Sequence, residues 1–353
     1  MSLKWNPLVD KLTPYQPGEQ PKQESPIHTK LNTNENPYPP SSQAINAMQS
    51  AINADLRLYP DPESSDLKQV IAQRLHLDAS YVFIGNGSDE VLAHIFQGFF
   101  QPDKPILFPS ISYSFYPVYA KLYQLSTQVI ELENDFTFNV DDFFMDNGGI
   151  IFPNPNAPTG QYIALSEIER LLQHNTQSIV VIDEAYIDFG GQSATSLVSD
   201  YDNLVVTQTL SKSRSLAGLR LGFAIANPNL IHILNAIKNS FNSYPIDRVA
   251  SAGAIAAIKD EAYFNLICQK VVDNRQWIEI ELALLGFTLI PSKANFVLVK
   301  PPINAKTLFE QLKSEGILVR YFDTPRLRDF LRVTIGSMSE CKKLIAALTL
   351  LAK

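Results

Sequence analysis

The residues best suited to chemistry fall at the ends of apolar runs. Lys212 lies in the stretch Thr207 to Gly222, directly after Leu204-Val205-Val206, which places it just beyond a buried strand end. Lysines in loops are usually solvated. This one has hydroxyls at Thr209, Ser211, Ser213 and Ser215, with Arg220 further on, a set suited to an amine held beside an anion. A second run, Ile179-Val180-Val181-Ile182, ends in Asp183-Glu184-Ala185-Tyr186. A carboxylate there loses water on both sides, so Asp183 needs a cation or strong donors. A helix cap or a salt bridge to a neighbouring loop would serve. So would the protonated ring nitrogen of a bound cofactor, with Tyr186 as a phenolic donor nearby.

Three further loops follow strand-like runs. Gly85-Asn86-Gly87-Ser88-Asp89-Glu90 joins the run Tyr81 to Ile84 to a helical pattern of Val91, Leu92, Ile95 and Phe96. A glycine turn that opens a helix exposes backbone N–H groups, and the helix N-terminus favours an anion such as phosphate. Ser88 or Asp89 would equally serve as a plain helix cap, and the spacing matches neither the dinucleotide nor the P-loop pattern. Pro153-Asn154-Pro155-Asn156-Ala157-Pro158-Thr159-Gly160 makes a loop of fixed shape, for which a structural turn is the simpler account. Pro109-Ser110-Ile111-Ser112-Tyr113-Ser114-Phe115-Tyr116 offers an aromatic face, although such aromatics are commonly core. Taken together, these are a lysine for an imine, an acid for a pyridinium nitrogen, an aromatic for a ring face and a cradle for phosphate. Those are the demands of pyridoxal phosphate.

The same residues carry a family resemblance. Asn154-Pro155-Asn156-Ala157-Pro158-Thr159-Gly160, Asp183-Glu184-Ala185-Tyr186, Thr209-Leu210-Ser211-Lys212 and Gly218-Leu219-Arg220-Leu221-Gly222 resemble the fold-type I aminotransferases of classes I and II in order and spacing over nearly the whole chain. Leu12-Thr13-Pro14-Tyr15-Gln16-Pro17-Gly18, Leu31-Asn32-Thr33-Asn34-Glu35-Asn36-Pro37, Leu58-Tyr59-Pro60-Asp61 and Phe330-Leu331-Arg332-Val333-Thr334-Ile335-Gly336 are similar to landmarks of the histidinol-phosphate aminotransferase family. The resemblance implies Lys212 as the Schiff-base lysine, Asp183 on the pyridine nitrogen, Tyr186 on the phenolic oxygen and Tyr113 against the ring. It implies a cofactor phosphate held by Ser88, Asp89, Thr209, Ser211 and Arg220, with Tyr59 reaching it from the partner subunit of a homodimer. One departure stands out: the family often has asparagine where this chain has Ala157, and that amide bonds the phenolic oxygen. Asn154 is the expected substitute, with Asn156, or Tyr186 acting alone, as alternatives.

Substrate recognition is expected at Tyr15, Arg320 and Arg332. In the strand from Phe330, Leu331, Val333 and Ile335 share one face and Arg332 projects from the other. Read alone, Arg332 beside Arg326 and Arg328 is a solvated arginine; with the resemblance, Arg320 and Arg332 become a clamp for phosphate or carboxylate. The implied reaction moves the amino group of L-histidinol phosphate to 2-oxoglutarate in histidine biosynthesis. Aromatic amino-acid transamination and threonine-phosphate decarboxylation are the alternatives.

The elements that must position these groups alternate. Strand-like runs at Tyr81 to Ile84, Pro105 to Phe108, Gln128 to Leu132, Gly149 to Phe152, Ile179 to Ile182, Leu204 to Thr207 and Gly222 to Ala226 are separated by helical segments. Uniformly apolar strands of that kind predict an α/β fold: a mostly parallel seven-stranded sheet with helices on both faces, and ligands at the strands' carboxyl ends. Beyond Tyr244 the pattern becomes that of a smaller α+β domain, closed by a helix whose opening Ser337-Met338-Ser339-Glu340 has capping-box spacing. The expected division is a proline-rich arm over 1–40, a large domain over 41–244 and a small domain over 245–353. A chain of 353 residues is long enough for two domains at roughly 100 to 200 residues each.

The bulk composition excludes several classes. A net charge of −7 disfavours nucleic-acid and anionic-membrane partners. The two cysteines and five histidines show no metal-ligand spacing, so neither a metal nor a disulfide framework is expected. No apolar run approaches the roughly 18 residues of a membrane helix, and the N-terminus lacks a signal-peptide pattern. A cytoplasmic enzyme is the expectation.

Overall fold

The computed structural model describes residues 5–21 and 28–351; of the expected arm, 1–4 and 22–27 lie outside them. The central sheet has seven strands in the order Val82–Gly85, Gly222–Ala226, Leu204–Thr209, Val180–Asp183, Gly149–Pro153, Ile106–Pro109, Thr127–Ile130. All neighbours are parallel except Gly222–Ala226, which runs antiparallel to both of its own. Val180-Val181-Ile182 and Leu204-Val205-Val206 are buried on both faces, which is why they read as unbroken apolar runs. Side chains on one face, such as Ile150, Ile182 and Val206, pack against Leu67, Ile71, Ile168 and Ala254. Those on the other, such as Ile151, Val181 and Val205, pack against Val91, Ile95, Phe96 and Tyr116.

A second sheet is antiparallel, in the order Arg320–Tyr321, Leu331–Thr334, Phe296–Lys300, Thr288–Ile290. The helices Glu261–Leu284, Ala305–Ser314 and Met338–Leu351 bury Val271, Ile278, Leu308, Leu312 and Leu344 against it. The last of these helices has the capping box: Ser337 N–H donates to Glu340 Oε2 at 2.8 Å and Glu340 N–H to Ser337 Oγ at 3.4 Å. The arm's Thr29–Lys30 pairs in parallel with Ile317–Leu318, so its end is stitched to the smaller unit. The helix Arg248–Lys259 places Ala250, Ala254, Ala257 and Ile258 in the core around the large sheet. The chain therefore changes core near Asp260, past the division expected at Tyr244.

Candidate active site

The carboxyl ends of the parallel strands open on a cavity of about 990 Å³. Arm, strand ends and second sheet all contribute to its wall. Of the side chains singled out in the sequence, Tyr15, Ser88, Asp89, Tyr113, Asp183, Tyr186, Thr209, Ser211, Lys212, Arg220, Arg320 and Arg332 line it. Asn154 and Tyr59 do not.

Asp183 is the last residue of Val180–Asp183 and is 4% exposed. Tyr116 O–H donates to its Oδ2 at 3.1 Å and Ala185 N–H to its Oδ1 at 3.3 Å. Loss of water pushes the carboxyl up to about 6, opposed by the Tyr116 and Ala185 hydrogen bonds. Among the described residues no lysine or arginine pairs with it. A buried acid short of a cation, on a cavity wall, fits the protonated ring nitrogen of pyridoxal phosphate. Its sequence neighbour Glu184 points elsewhere: Ser193 Oγ, Ala194 N–H and Gln208 Nε2 all donate to it, and it braces a loop.

Lys212 lies past the end of Leu204–Thr209. Its Nζ donates to the Thr33 carbonyl at 3.3 Å and stands 5.8 Å from the centre of the Tyr186 ring. Asn36 Nδ2 donates to the Lys212 carbonyl at 3.1 Å, which fixes the loop. Of the hydroxyls around the lysine, Thr209 Oγ1 donates to Ser211 Oγ at 3.0 Å, and both line the cavity. Ser213 instead bonds Asp188 at 2.5 Å, and Arg214 donates to the Ala257 carbonyl while its guanidinium lies 3.7 Å from the Phe264 ring centre. Those two support the loop from behind.

The anion cradle forms where Gly222 meets the turn into the helix Gly87–Gly98. A Cβ on Gly222 would stand 2.3 Å from Ser88 N, and one on Gly87 (φ +80) would stand 2.6 Å from Arg220 Nη2. Only glycine lets strand, helix start and guanidinium approach this closely. Arg220, itself in the left-handed region at φ 53, donates from Nη2 to Asp89 Oδ2 at 2.7 Å; Tyr113 O–H donates to Asp89 Oδ1 at 2.9 Å. The Asp89 carboxylate thus orients Arg220 and Tyr113, beside a helix N-terminus of the kind that favours an anion. Burial and Asp89 push the Tyr113 phenol well up, so it stays protonated.

Arg320 and Arg332 are directly opposed across two antiparallel strands, so both side chains lie on one face. Arg332 Nη2 donates to the Asn32 carbonyl at 2.9 Å, its guanidinium lies 5.2 Å from Phe296 and 5.5 Å from Phe322, and its buried Nε has no partner among the described residues. Arg320 lies 5.3 Å from Phe322, and no described residue gives it an acceptor. Two guanidiniums with unused donors on a cavity wall have the geometry to bind a doubly charged oxyanion. Tyr15 joins the same cavity wall from the arm, stacked on Phe115 at 4.8 Å.

Two expectations need correction or relocation. Asn154 is 0% exposed, and its amide is spent on Ile163: Nδ2 donates to the carbonyl at 3.0 Å and Oδ1 accepts from the N–H at 2.9 Å. It holds the proline loop and does not reach the cavity. Asn156 Nδ2 is likewise engaged, with Ile111 O and Thr159 Oγ1. The amide nearest in function is Asn34, whose Nδ2 donates to the Tyr186 hydroxyl at 3.1 Å. Tyr59 is 79% exposed and stacks on Tyr244 at 4.8 Å, away from the cavity of its own subunit.

Sequence reasoning assigned no role to Thr33, Asn34, Asn36 or Tyr116. The first three come from Leu31 to Pro37, a polar run with neither helical nor strand period. Apart from its likeness to a family landmark, its signal was a density of amides between two anchors, Leu31 and Pro37.

A doubly covered, mostly parallel sheet with a lysine, a buried aspartate and a phosphate-suited helix start at its strand ends defines a fold-type I pyridoxal-phosphate enzyme. The family model described as "Aminotransferase class I and II" matches residues 26–348. The chain is 56% identical over 350 residues to "Histidinol-phosphate aminotransferase 1" of Hydrogenovibrio crunogenus, covering 99% of this chain and 98% of that one. It is 54% identical over 349 residues to the protein of the same name from Pseudomonas aeruginosa, covering 99% of each. The chain belongs to the class I and II aminotransferases and, within them, to the histidinol-phosphate aminotransferase family. In fold it is similar to the crystal structure of histidinol-phosphate aminotransferase from Sinorhizobium meliloti in complex with pyridoxal-5'-phosphate, with a TM-score of 0.89 at 24% identity over 99% of this chain and 97% of that one.

Proposed function

We propose that this enzyme moves the amino group of L-histidinol phosphate to 2-oxoglutarate, giving imidazole-acetol phosphate and glutamate, with pyridoxal phosphate as cofactor. The observation that carries the reading is the convergence of Lys212, Asp183 and the Arg320–Arg332 pair on one cavity. Bound pyridoxal phosphate supplies an aldehyde that condenses with amines and a protonated ring that accepts the electron pair released at the substrate carbon. Asp183 holds the proton on the ring nitrogen. The turn at Ser88 with Thr209, Ser211 and Arg220 anchors the phosphate, and Tyr113 covers the ring. Arg320 and Arg332 bind the phosphate of the amino donor and, in the second half-reaction, the distal carboxylate of 2-oxoglutarate. Lys212 Nζ takes the proton from the substrate Cα. Tyr15 screens the cavity from water.

The division of labour follows the two cores. The residues up to about Asp260 bind the cofactor, and the arm with the remainder selects the substrate. The functional unit is a homodimer in the cytoplasm, with Tyr59 completing the partner's phosphate site. The experiment that tests the function supplies protein, cofactor, L-histidinol phosphate and 2-oxoglutarate and follows glutamate. Wild type is expected to form it and to absorb as a lysine-bound cofactor, and Lys212→Ala is expected to lose that absorbance with at least about a thousandfold of the rate. Full turnover by Lys212→Ala would refute the assignment.

A further inference from the structure

The Tyr186 hydroxyl faces the cavity with a single described partner, the Asn34 amide at 3.1 Å. Which end of that amide faces the tyrosine is settled by its other neighbours. Asn34 N–H donates to Thr334 Oγ1 at 3.0 Å, so the threonine proton remains to be given away, and Asn34 Oδ1 lies 2.9 Å from Thr334 Oγ1 to take it. With the amide turned round, Thr334 Oγ1 would face two donors and its own proton would have no acceptor. The Nδ2 group therefore points at Tyr186. Asn34 is buried and sits in the left-handed region at φ 58, a conformation uncommon for a residue with a side chain. The Asn295 amide holds its carbonyl at 3.0 Å, so both faces of the residue are tied to the smaller sheet and its neighbouring loop.

We infer that Asn34 is a positioning residue for the reaction: by donating to the Tyr186 oxygen it turns the tyrosine's own proton into the cavity, making Tyr186 a donor to the phenolic oxygen of the cofactor. The edge-on contact with Phe296, at 5.0 Å between ring centres, fixes the ring, so the remaining freedom of Tyr186 is the rotation of its hydroxyl. An oxygen that accepts one hydrogen bond is also a stronger donor through its own proton. The arrangement couples the two units, because the Thr334 and Asn295 that hold Asn34 belong to the smaller one while Tyr186 follows a strand of the larger. The assignment rests on the reading of the site as one for pyridoxal phosphate.

The test is a pH titration of the absorbance of the bound cofactor in holoenzyme. A donor to the phenolic oxygen favours the state with more negative charge there, which lowers the midpoint at which the lysine-bound cofactor loses its proton. Asn34→Ala is expected to raise that midpoint by about half to one pH unit, the scale of one hydrogen bond. Thr334→Val, which removes the hydroxyl that orients the amide, is expected to shift it the same way by less, and it carries the same test if Asn34→Ala fails to fold. In a Tyr186→Phe background neither substitution should shift the midpoint further. An unchanged midpoint in both single variants, or an equal shift without the tyrosine hydroxyl, overturns the inference. A wild-type protein that takes up no absorbing cofactor would instead overturn the cofactor reading itself, and a bound cofactor whose absorbance does not titrate overturns the inference.

Discussion

Arg332 shows how much of a residue's role depends on what lies across from it. From sequence it was an arginine on the odd face of a strand, as easily solvated as functional. In the fold it opposes Arg320, lies between Phe296 and Phe322 and leaves Nε without a partner. Burial draws its pKa down from the usual arginine value without threatening its charge. Arg332→Ala is expected to lower kcat/KM for the phosphate-bearing donor by about 10- to 100-fold, mainly through KM, as loss of a charge-assisted hydrogen bond would. Arg332→Lys should recover little, because a point charge cannot replace a planar fork. Steady-state kinetics on both variants, with melting curves to exclude unfolding, check this. The lysine and the aspartate could be singled out because each follows an apolar run that had to be a strand, whereas Arg320 and Arg332 drew attention only through the resemblance. The error at Asn154 has a physical source: its place in the proline loop suggested the cavity, whereas two hydrogen bonds to Ile163 turn the amide into the scaffold.

At the scale of elements, the strand Val180–Asp183 carries its reactive group at its last residue because the strand itself is fully buried. That burial has a consequence for the protein without cofactor. The Asp183 carboxyl is raised from 3.8 to about 6, so the folded apoprotein holds a proton that the unfolded chain has already released between those values. Stability contributed by this group is therefore present below about pH 4 and is lost as pH rises toward 6. Glu184, raised to about 7 by burial, acts in the same sense. Other carboxyls, such as Glu35, are lowered and act oppositely, so the difference between variant and wild type is the useful quantity. Asp183→Asn apoprotein is expected to gain stability relative to wild type as pH goes from 4 to 6, with a flat difference beyond. Urea unfolding at several pH values measures it, and a pH-independent difference would contradict the assigned burial. All seven strands of the large sheet could be placed from apolar runs alone. The antiparallel direction of Gly222–Ala226 could not, since direction is set by the crossing of the preceding loop, where Gly222 packs on Ser88. The helix Arg248–Lys259, expected beyond Tyr244, packs in the core of the large sheet, and its Ala-rich face would have suited either core.

At the scale of the whole molecule, Tyr59 is exposed and stacked on Tyr244, away from the cavity, which leaves it open to the proposed role in another copy's site. Mixed dimers of Tyr59→Ala with Lys212→Ala test this. One site of the mixed dimer would have both residues, so each mixed dimer is expected to have about half of wild-type activity, about a quarter averaged over all dimers of an equal, randomly reassociated mixture; no recovery would place Tyr59 in its own subunit's site or outside any. The reach of Tyr59 into a partner's site was implied by the resemblance alone, since nothing in local pattern marks a residue for another chain. No described helix is long and apolar enough to cross a membrane. The identity of the amino donor is decided by kcat/KM for L-histidinol phosphate against phenylalanine, each with 2-oxoglutarate. The paired arginines predict a preference for the phosphate ester of at least about a hundredfold, the value of two charge-assisted hydrogen bonds. A preference for phenylalanine, or carbon dioxide released from threonine phosphate without consumption of 2-oxoglutarate, would contradict it.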